Sequence, residues 1–348
     1  MKVVIDEKIP YLREALIAMG MNVVALPGDA IRNADLIEAE ALFVRTRTRC
    51  DKALLAGSAV RFIGTATIGY DHIDSEYCVE NGIFWTNAAG CNAGAVLQYV
   101  QSVIYSWSRD NACSIAGLTL GIVGLGEIGS RVAAWAESVG MRVLANDPPK
   151  ADAGTAGLVT LDEIAENCDI ITFHPTLNVD GAYKSLHLAD EAFFSLLKRC
   201  KLLINASRGA VVDNKALLKA LDSGVVECAA IDVWEGEPDI DTDLLDKVYI
   251  ATPHIAGYSA EGKLNATTIV LGQFAHHINY KGEVPVAQLD APSGYLVEAC
   301  REQDALLSIY SPLDDTEQLK NAPGNFEHLR NNYRLRREPS AYKIVIKG

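Results

Sequence analysis

Three side chains that follow predicted strands have the types that proton transfer beside a bound carboxylate requires. His254 can accept a proton near neutral pH, Glu237 can orient and charge-stabilise its imidazole, and Arg208 can bind a carboxylate through a planar fork. Taken singly, a histidine after a strand is more often structural, Glu237 could be a turn acid before Pro238, and Arg208 could be a surface charge. All three follow strands of one predicted parallel sheet, whose carboxyl ends meet at one edge. We therefore predict a hydride-transfer site there.

A glycine-rich turn supplies a place for the hydride acceptor. Gly124, Gly126 and Gly129 follow a short apolar strand, and a helical pattern begins behind them. The first glycine makes a tight turn, the second lets the backbone approach a pyrophosphate, and the third allows close packing of helix on strand. The N–H groups of the first helical residues, Glu127 and Ile128, offer the positive end of the helix dipole to that pyrophosphate. The pattern predicts a Rossmann-type dinucleotide site.

Asp147 ends the next strand and favours NAD over NADP. A carboxylate at this position is expected to accept hydrogen bonds from the adenosine ribose, and it would repel a 2′-phosphate. The residues after it, Pro148, Pro149 and Lys150, provide one lysine and no arginine fork to compensate. We therefore expect NAD as the cofactor, and Lys150 keeps NADP open as the alternative.

The composition is that of an ordinary globular protein with more than one domain. A chain of 348 residues is too long for one comfortable core. Its net charge of −14 argues against nucleic acid or an anionic membrane as the partner. The apolar runs are too short for a membrane span, and the N-terminus lacks the apolar core of a signal peptide. The eight cysteines are scattered without a CxxC or Cys/His cluster, which predicts no metal site and a reducing cytoplasm.

Alternating strand and helix patterns predict α/β units with parallel sheets. We expect residues 1–92 and 258–284 to form a substrate domain, residues 93–257 the dinucleotide domain, and residues 285–348 a small extra unit. In that last unit the patterns predict strands near Leu307–Tyr310 and Tyr342–Ile346, with helices near Asp315–Lys320 and Phe326–Asn332. Because it has few aliphatic residues, we expect it to dock on the rest of the chain or to dimerise.

Three arginines, Arg45, Arg47 and Arg49, follow the predicted strand Ala41–Val44. In an acidic chain they are the best local site for an anionic substrate, because ligands collect at the carboxyl ends of parallel strands. A solvated sheet edge is the alternative.

The chain resembles the D-isomer-specific 2-hydroxyacid dehydrogenases over essentially its whole length. The motifs that carry the resemblance are GLGEIG (124–129), NASRGAVVDNKALLKAL (205–221), AAIDVWEGEP (229–238) and TPHIAGYSAEG (252–262). VRTRT (44–48), GTATIGYDHID (64–74) and FEHLRNNYRLRRE (326–338) are similar to a branch of that family that acts on a phosphorylated 2-hydroxy acid. The resemblance implies an α/β fold with a Rossmann-type NAD-binding domain, a flavodoxin-like substrate domain and a small α+β C-terminal dimerisation domain, in a cytoplasmic homodimer.

The resemblance also implies roles for individual residues. The catalytic residues would be Arg208, Glu237 and His254. The NAD contacts would be Asp147, Ser207, Arg208, Asp232 and Gly257, and the substrate contacts Thr46, Thr67 and Tyr258. Most relatives read His-Thr-Pro where this chain has His174-Pro175-Thr176, so Thr176 is expected to replace the cofactor contact of position 175. For the substrate phosphate the candidates are Arg45, Arg47, Arg336 and Arg337. The last two belong to the C-terminal unit and could act within the same chain or across a dimer, and solvated arginines are the alternative.

The mechanism that follows is oxidation at C2 of a small acid. Arg208 would anchor the C1 carboxylate, His254 would remove the C2 hydroxyl proton, and the C2 hydride would pass to the nicotinamide, with closure of two domains excluding water. The alternatives are another member of the family, such as phosphoglycerate dehydrogenase, and an NAD-sensing corepressor. The short acidic chain speaks against the corepressor.

Overall fold

The computed structural model describes residues 1–347, and the chain divides into two compact units. The first comprises residues 1–92 and 259–291, and the second comprises residues 93–258 together with the chain from residue 292 onward. Within the described residues, no helix combines the length and the apolar character needed to cross a membrane.

The first unit is built on a parallel sheet. Its strands are β1 (Lys2–Asp6), β2 (Asn22–Leu26), β3 (Ala41–Val44), β4 (Phe62–Thr65) and β5 (Phe84–Asn87). They lie in the order β2-β1-β3-β4-β5, and every pairing is parallel. This is the strand order of flavodoxin-like doubly wound sheets. The flavodoxin-like fold implied by the resemblance is therefore confirmed for this unit.

Helices cover both faces of this sheet, which is why strands such as β3 are apolar at every position. The helices of the first unit are Leu12–Ala18, Asn33–Leu36, Lys52–Leu55, Ser75–Glu80 and Ala260–His277. The last of them returns to the unit from far along the chain. Its Phe274 ring packs against Phe43 and Phe62 with centroids 5.3 and 5.1 Å away.

The second unit holds a larger parallel sheet. Its strands are β6 (Thr119–Val123), β7 (Arg142–Asn146), β8 (Ile170–Phe173), β9 (Leu202–Asn205), β10 (Cys228–Ile231) and β11 (Ile250–Ala251). They lie in the order β11-β10-β9-β8-β6-β7. Leu158 forms a single parallel bridge with Ala145 of β7 and stands where a Rossmann sheet has a further strand. The chain runs outward from β6 in both directions, so the switch point, where dinucleotides bind, lies between β6 and β8.

Among the described residues, seven helices precede or connect these strands. They are Ala93–Asp110, Glu127–Ser138, Pro148–Asp152, Leu161–Asn167, Glu191–Leu196, Asn214–Asp222 and Thr242–Lys247. The predicted glycine turn joins β6 directly to the helix Glu127–Ser138, as a dinucleotide site requires.

The C-terminal segment, residues 292–347, packs into the second unit. It forms the parallel pair β12 (Leu296–Ala299) and β13 (Lys343–Ile346) and the helices Glu302–Ile309, Leu313–Asn321 and Phe326–Asn331. Leu319 and Phe326 lie in the core of that unit. The predicted strand Leu307–Tyr310 is wrong, because most of it belongs to a helix that buries Ala305 and Leu306 on one face. Short apolar runs do not distinguish a strand from a buried helical face.

Candidate functional site

The glycine turn has the backbone geometry that its sequence suggests. Gly124 has a φ of +90°, which favours glycine, and a Cβ there would lie 2.7 Å from the Pro175 nitrogen. A Cβ at Gly129 would collide with the Gly124 carbonyl oxygen. At Gly126, by contrast, a Cβ would meet no described atom within 4 Å. The side of the turn at Gly126 therefore faces open space, where a ligand can approach the helix start at Glu127 and Ile128.

A cleft of about 620 Å³ opens beside this turn, lined by residues of the second unit. Asp147 lies in its wall, and its two carboxylate oxygens accept hydrogen bonds from Leu125 N at 2.9 Å and Lys150 N at 3.1 Å. The Lys150 ammonium donates to the Leu125 carbonyl at 2.6 Å. Asp147 thus stabilises the glycine turn through the Leu125 N–H. Each of its carboxylate oxygens keeps a second lone pair that can accept a hydrogen bond from a ribose hydroxyl.

Residues 174–176 also line the cleft. Burial lowers the pKa of His174 to about 3, which keeps its imidazole neutral. Its Nε2 lies 2.9 Å from the Thr172 hydroxyl, and its buried Nδ1 has no hydrogen-bond partner among residues 1–347. Thr176 also lines the cleft, and its carbonyl accepts from Ser185 at 2.5 Å. A buried ring nitrogen and open glycine backbone in one cleft fit a polar ligand such as a dinucleotide.

His254 and Glu237 form a hydrogen-bonded pair in the second unit. The distance from His254 Nδ1 to Glu237 Oε2 is 2.8 Å, and Glu237 Oε1 accepts from the Trp234 N–H at 2.9 Å. Burial raises the pKa of Glu237, but the hydrogen bond and charge of His254, the Trp234 N–H and Arg330 outweigh it, so the net shift is downward. Glu237 is therefore the ionised partner that orients the imidazole. His254 itself has a φ of +57°, a left-handed conformation that is uncommon for residues other than glycine and that clusters at functional sites.

Asp232 holds the loop that carries the histidine. Its buried carboxylate accepts from the Thr252 hydroxyl at 2.6 Å and from the N–H groups of Ile255 and Ala256 at 2.8 and 2.9 Å. Burial raises the pKa of Asp232, although these bonds and the His254 charge act in the opposite direction. The observed contacts make Asp232 a positioning residue for the loop, and its expected NAD contact stays a prediction.

Arg208 lies on a turn shaped by a neighbouring amide. Asn205 accepts from Ser207 N and Oγ at 3.2 and 2.9 Å and donates to the Arg208 carbonyl at 3.0 Å. A Cβ at Gly209 would collide with the Trp234 carbonyl oxygen. The Arg208 turn therefore packs directly on the backbone that leads to Glu237, which places both on the same edge of the sheet.

The remaining predicted residues of the second unit lie just after His254. Gly257 and Tyr258 continue the loop, and Tyr258 N donates to the Ile255 carbonyl at 2.8 Å. The Tyr258 ring packs against Tyr333 of the C-terminal segment with centroids 6.2 Å apart.

Arg336 does not have the role predicted from the sequence. It is only 8% exposed. Its guanidinium donates to Gln98, Tyr333 and the carbonyls of Ala95, Ile255 and Ala256. These bonds occupy the five N–H donors that an arginine has, so the side chain has none left for a substrate phosphate. Arg336 instead clamps the backbone that follows His254.

The predicted substrate residues of the first unit follow β3 and β4. Thr46 is exposed, and Thr67 bonds the Thr65 hydroxyl at 2.6 Å and the Gly69 carbonyl at 2.8 Å. Arg45 pairs with the fully buried Asp6 at 2.9 Å, so part of its guanidinium neutralises an internal charge.

Two residues at the site were not predicted from the sequence. Asn205 lies in a motif that was recognised, but its shaping role depends on the turn geometry. Arg330 lies 3.6 Å from Glu237, and the only signal for it is the arginine-rich character of residues 330–337. No spacing rule connects that segment to Glu237.

Comparison with known proteins places this geometry in a family. Residues 94–256 match the family profile described as D-isomer specific 2-hydroxyacid dehydrogenase, NAD binding domain. An erythronate-4-phosphate dehydrogenase of Bacteroides fragilis is 48% identical over 347 residues, covering 99% of both chains. One of Escherichia coli O157:H7 is 41% identical, covering 99% of this chain and 94% of its own.

Solved structures share the fold. A D-lactate dehydrogenase of Aquifex aeolicus in complex with NAD and lactic acid has a TM-score of 0.61 and 25% identity, over 80% of this chain and 96% of its own. An NAD⁺-bound 3-phosphoglycerate dehydrogenase of Entamoeba histolytica has a TM-score of 0.67 and 23% identity, over 83% of this chain and 99% of its own. The chain therefore belongs to the D-isomer specific 2-hydroxyacid dehydrogenase family and carries the NAD-binding domain of that family at residues 94–256.

Proposed function

We propose that this chain catalyses the NAD-dependent oxidation of 4-phospho-D-erythronate to 2-oxo-3-hydroxy-4-phosphobutanoate, a step of pyridoxal 5′-phosphate biosynthesis. The choice of substrate is supported by relatives named erythronate-4-phosphate dehydrogenase that are 41–48% identical over nearly the whole chain. The observation that carries the chemistry is the 2.8 Å hydrogen bond between His254 and Glu237.

Glu237, His254 and Arg208 each have a separate role in this reaction. 4-Phospho-D-erythronate and NAD⁺ become the 2-oxo acid, NADH and a proton, and NAD supplies the acceptor for the C2 hydride when bound. Because Glu237 holds Nδ1 of His254, the free Nε2 is the atom that takes the C2 hydroxyl proton. Glu237 stabilises the imidazolium that results, and Arg208 binds the C1 carboxylate through its planar fork.

The residues that would hold NAD lie around the cleft of the second unit. The open backbone at Gly126 and the N–H groups of Glu127 and Ile128 suit the pyrophosphate, and Asp147 suits the adenosine ribose. Contacts from Thr176, Ser207, Arg208, Asp232 and Gly257 belong to the same proposal. Asp147 would repel a 2′-phosphate, and Lys150 is engaged by the Leu125 carbonyl, so we propose NAD and not NADP.

The remaining domains have roles that follow from this assignment. We assign substrate binding to residues 1–92 and 258–284, with Thr46, Thr67 and Tyr258 as contacts and Arg45 as a second cation. We assign homodimer formation to residues 285–348, supported by the exposed apolar side chains of Leu296 and Ile346 on the β12–β13 pair. We place the enzyme in the cytoplasm, supported by its free cysteines.

A substrate panel tests the proposal. Purified protein with NAD⁺ should reduce the cofactor with 4-phospho-D-erythronate far faster than with 3-phosphoglycerate or D-lactate. H254Q should lower kcat by about 10²–10⁴-fold while NAD⁺ still binds, as measured by calorimetry. Preference for 3-phosphoglycerate would overturn the substrate assignment, and unchanged turnover in H254Q would overturn the catalytic assignment.

A further inference from the structure

Arg330, on the helix Phe326–Asn331, reaches the catalytic pair from a segment to which the proposed reaction assigns no chemical role. Its Nη1 lies 3.6 Å from Glu237 Oε2, and its Nε donates to the Tyr258 hydroxyl at 3.4 Å. The same Glu237 oxygen lies 2.8 Å from His254 Nδ1. One carboxylate oxygen therefore faces both the imidazole and a permanent cation.

Arg330 makes only weak contacts, in contrast to the buried Arg336 of the same segment. Its ion pair with Glu237 and its hydrogen bond to the Tyr258 hydroxyl are both long, and its side chain is 34% exposed. Arg336 is 8% exposed and uses all of its donors. A partly solvated pair of this length contributes little to stability, so Arg330 can leave Glu237 at small cost.

A phosphate dianion is a stronger partner for Arg330 than the shared carboxylate. It carries more charge than Glu237 can offer while paired with His254, and a guanidinium binds it through two parallel N–H bonds. The Arg330 Nη1 lies within about 6.4 Å of His254 Nδ1, because 3.6 and 2.8 Å separate the two atoms from one oxygen. In a 4-phospho acid, C2–C3, C3–C4 and C4–O bonds of about 1.4–1.5 Å separate the C2 hydroxyl from the phosphate. The proton-accepting Nε2 lies across the same five-membered ring from Nδ1, so one extended substrate molecule can reach from Nε2 to the Arg330 guanidinium.

We propose that Arg330 is the specificity-determining residue of the site, which binds the terminal phosphate of the substrate and in doing so gives up its contact with Glu237. The inference rests on the proposed function, a phosphorylated 2-hydroxy acid as substrate. Before the substrate binds, the Arg330 cation partly neutralises the Glu237 carboxylate. Glu237 therefore stabilises a protonated His254 less. Once the phosphate has bound Arg330, Glu237 interacts with His254 alone. The protonated imidazole is then better stabilised, so His254 is a stronger base. The phosphate therefore raises kcat as well as affinity, because part of its binding energy is used to strengthen the base that removes the C2 hydroxyl proton.

Three charged groups act on the imidazole through contacts that the structure shows. Glu237 faces His254 directly, Arg330 acts through Glu237, and buried Asp232 interacts with His254 from beneath the loop. Arg330 is the one of these that a substrate phosphate can displace, since Asp232 is tied to three loop donors.

The first test uses the wild-type enzyme and the substrate in two pieces. D-Erythronate lacks the phosphate, so it should turn over slowly with NAD⁺. Adding inorganic phosphate or phosphite should then raise its kcat/KM by at least about 10-fold, in a saturable manner, because the free anion occupies Arg330. If neither anion activates the turnover of D-erythronate, the inference is overturned. If 4-phospho-D-erythronate itself is not oxidised, the proposed function fails instead.

The second test removes the cation. R330M should lower kcat/KM for 4-phospho-D-erythronate by about 100-fold and abolish activation by the free anion. D-Erythronate, which has no phosphate contact to lose, should turn over at least as fast in R330M as in wild type, because Glu237 no longer shares its oxygen with Arg330. R330K, which keeps the charge without the fork, should retain part of the preference. The matched control is R334M, which removes an exposed arginine of the same segment and should behave as wild type.

The pH profile separates this role from a purely structural one. Since oxidation requires a neutral imidazole and Arg330 disfavours the protonated form, R330M should move the acidic limb of kcat/KM for D-erythronate to higher pH. Equal losses on both substrates with an unmoved limb, or the same losses in R334M, would overturn the inference. Melting temperature and NAD⁺ affinity establish that each variant is folded, and the wild-type anion titration decides the question if R330M does not fold.

Discussion

The buried arginine at position 336 gives the sharpest test of how the C-terminal segment supports the catalytic loop. In R336M the carbonyls of Ala95, Ile255 and Ala256 and the Gln98 side chain all lose a donor in a buried place. One buried acceptor without a partner costs about 1–3 kcal/mol. Relaxation of the loop and entry of water offset part of the sum, so we expect a loss of about 3–5 kcal/mol in the free energy of unfolding of the second unit.

Tryptophan fluorescence during urea or thermal unfolding measures this loss. Trp107, Trp135 and Trp234 lie in the second unit and Trp85 in the first, so the signal reports mainly on the unit that changes. For a domain of this size the loss corresponds to a fall of roughly 10 °C in Tm. The variant should also lose activity, because its weakened loop carries the catalytic histidine.

Two further variants make the result interpretable. R336K keeps the positive charge but has three donors in place of five, so it should lie between R336M and wild type. R334M, an exposed arginine two residues away, should change the free energy of unfolding by less than about 0.5 kcal/mol. If R336M lies within the same range as R334M, the clamp does not hold the loop and the reasoning is wrong.

Three more predictions follow from the site and its surroundings. E237Q should lower kcat by about 10²–10⁴-fold and move the acidic limb of the kcat/KM profile to lower pH, since His254 loses its anionic partner; unchanged steady-state kinetics across pH would contradict this. G129A should abolish NAD⁺ binding in calorimetry, because the new Cβ collides with the Gly124 carbonyl; tight binding would show that the turn tolerates a shift. Burial raises the pKa of Asp315 to about 6, so its stabilising contribution is present below about pH 4 and is lost as pH rises through 6. Relative to wild type, the free energy of unfolding of D315N should therefore rise by up to about 3 kcal/mol between pH 4 and pH 7, as measured by urea unfolding. A difference that does not change with pH would contradict the raised pKa of Asp315.

The local patterns of the chain predict much of the fold. Alternating strands and helices indicate parallel sheets, and the structure has them in the doubly wound orders of the two domain types. The glycine turn is predictable because its requirement is local: a positive φ at Gly124 and close packing at Gly129. The strand predicted at Leu307–Tyr310 is wrong for the opposite reason, since a short apolar run carries no information about which neighbour will cover it.

The catalytic pair is intermediate between these cases. Glu237 and His254 both follow strands of one sheet, so a shared edge follows from topology alone. Their 2.8 Å hydrogen bond, the left-handed backbone at His254 and the support from Asp232 depend on how two loops pack.

The sequence by itself determined the α/β units with parallel sheets, the dinucleotide turn and the candidate acid–base pair, because each depends on short-range periodicity or on which residues follow a strand. Only the tertiary structure decided the roles of the arginines. Arg336 bonds Ala95 from 241 residues away, and Arg330 reaches Glu237 from a different element. Such contacts are set by where a docked segment settles in the core, which no local spacing encodes.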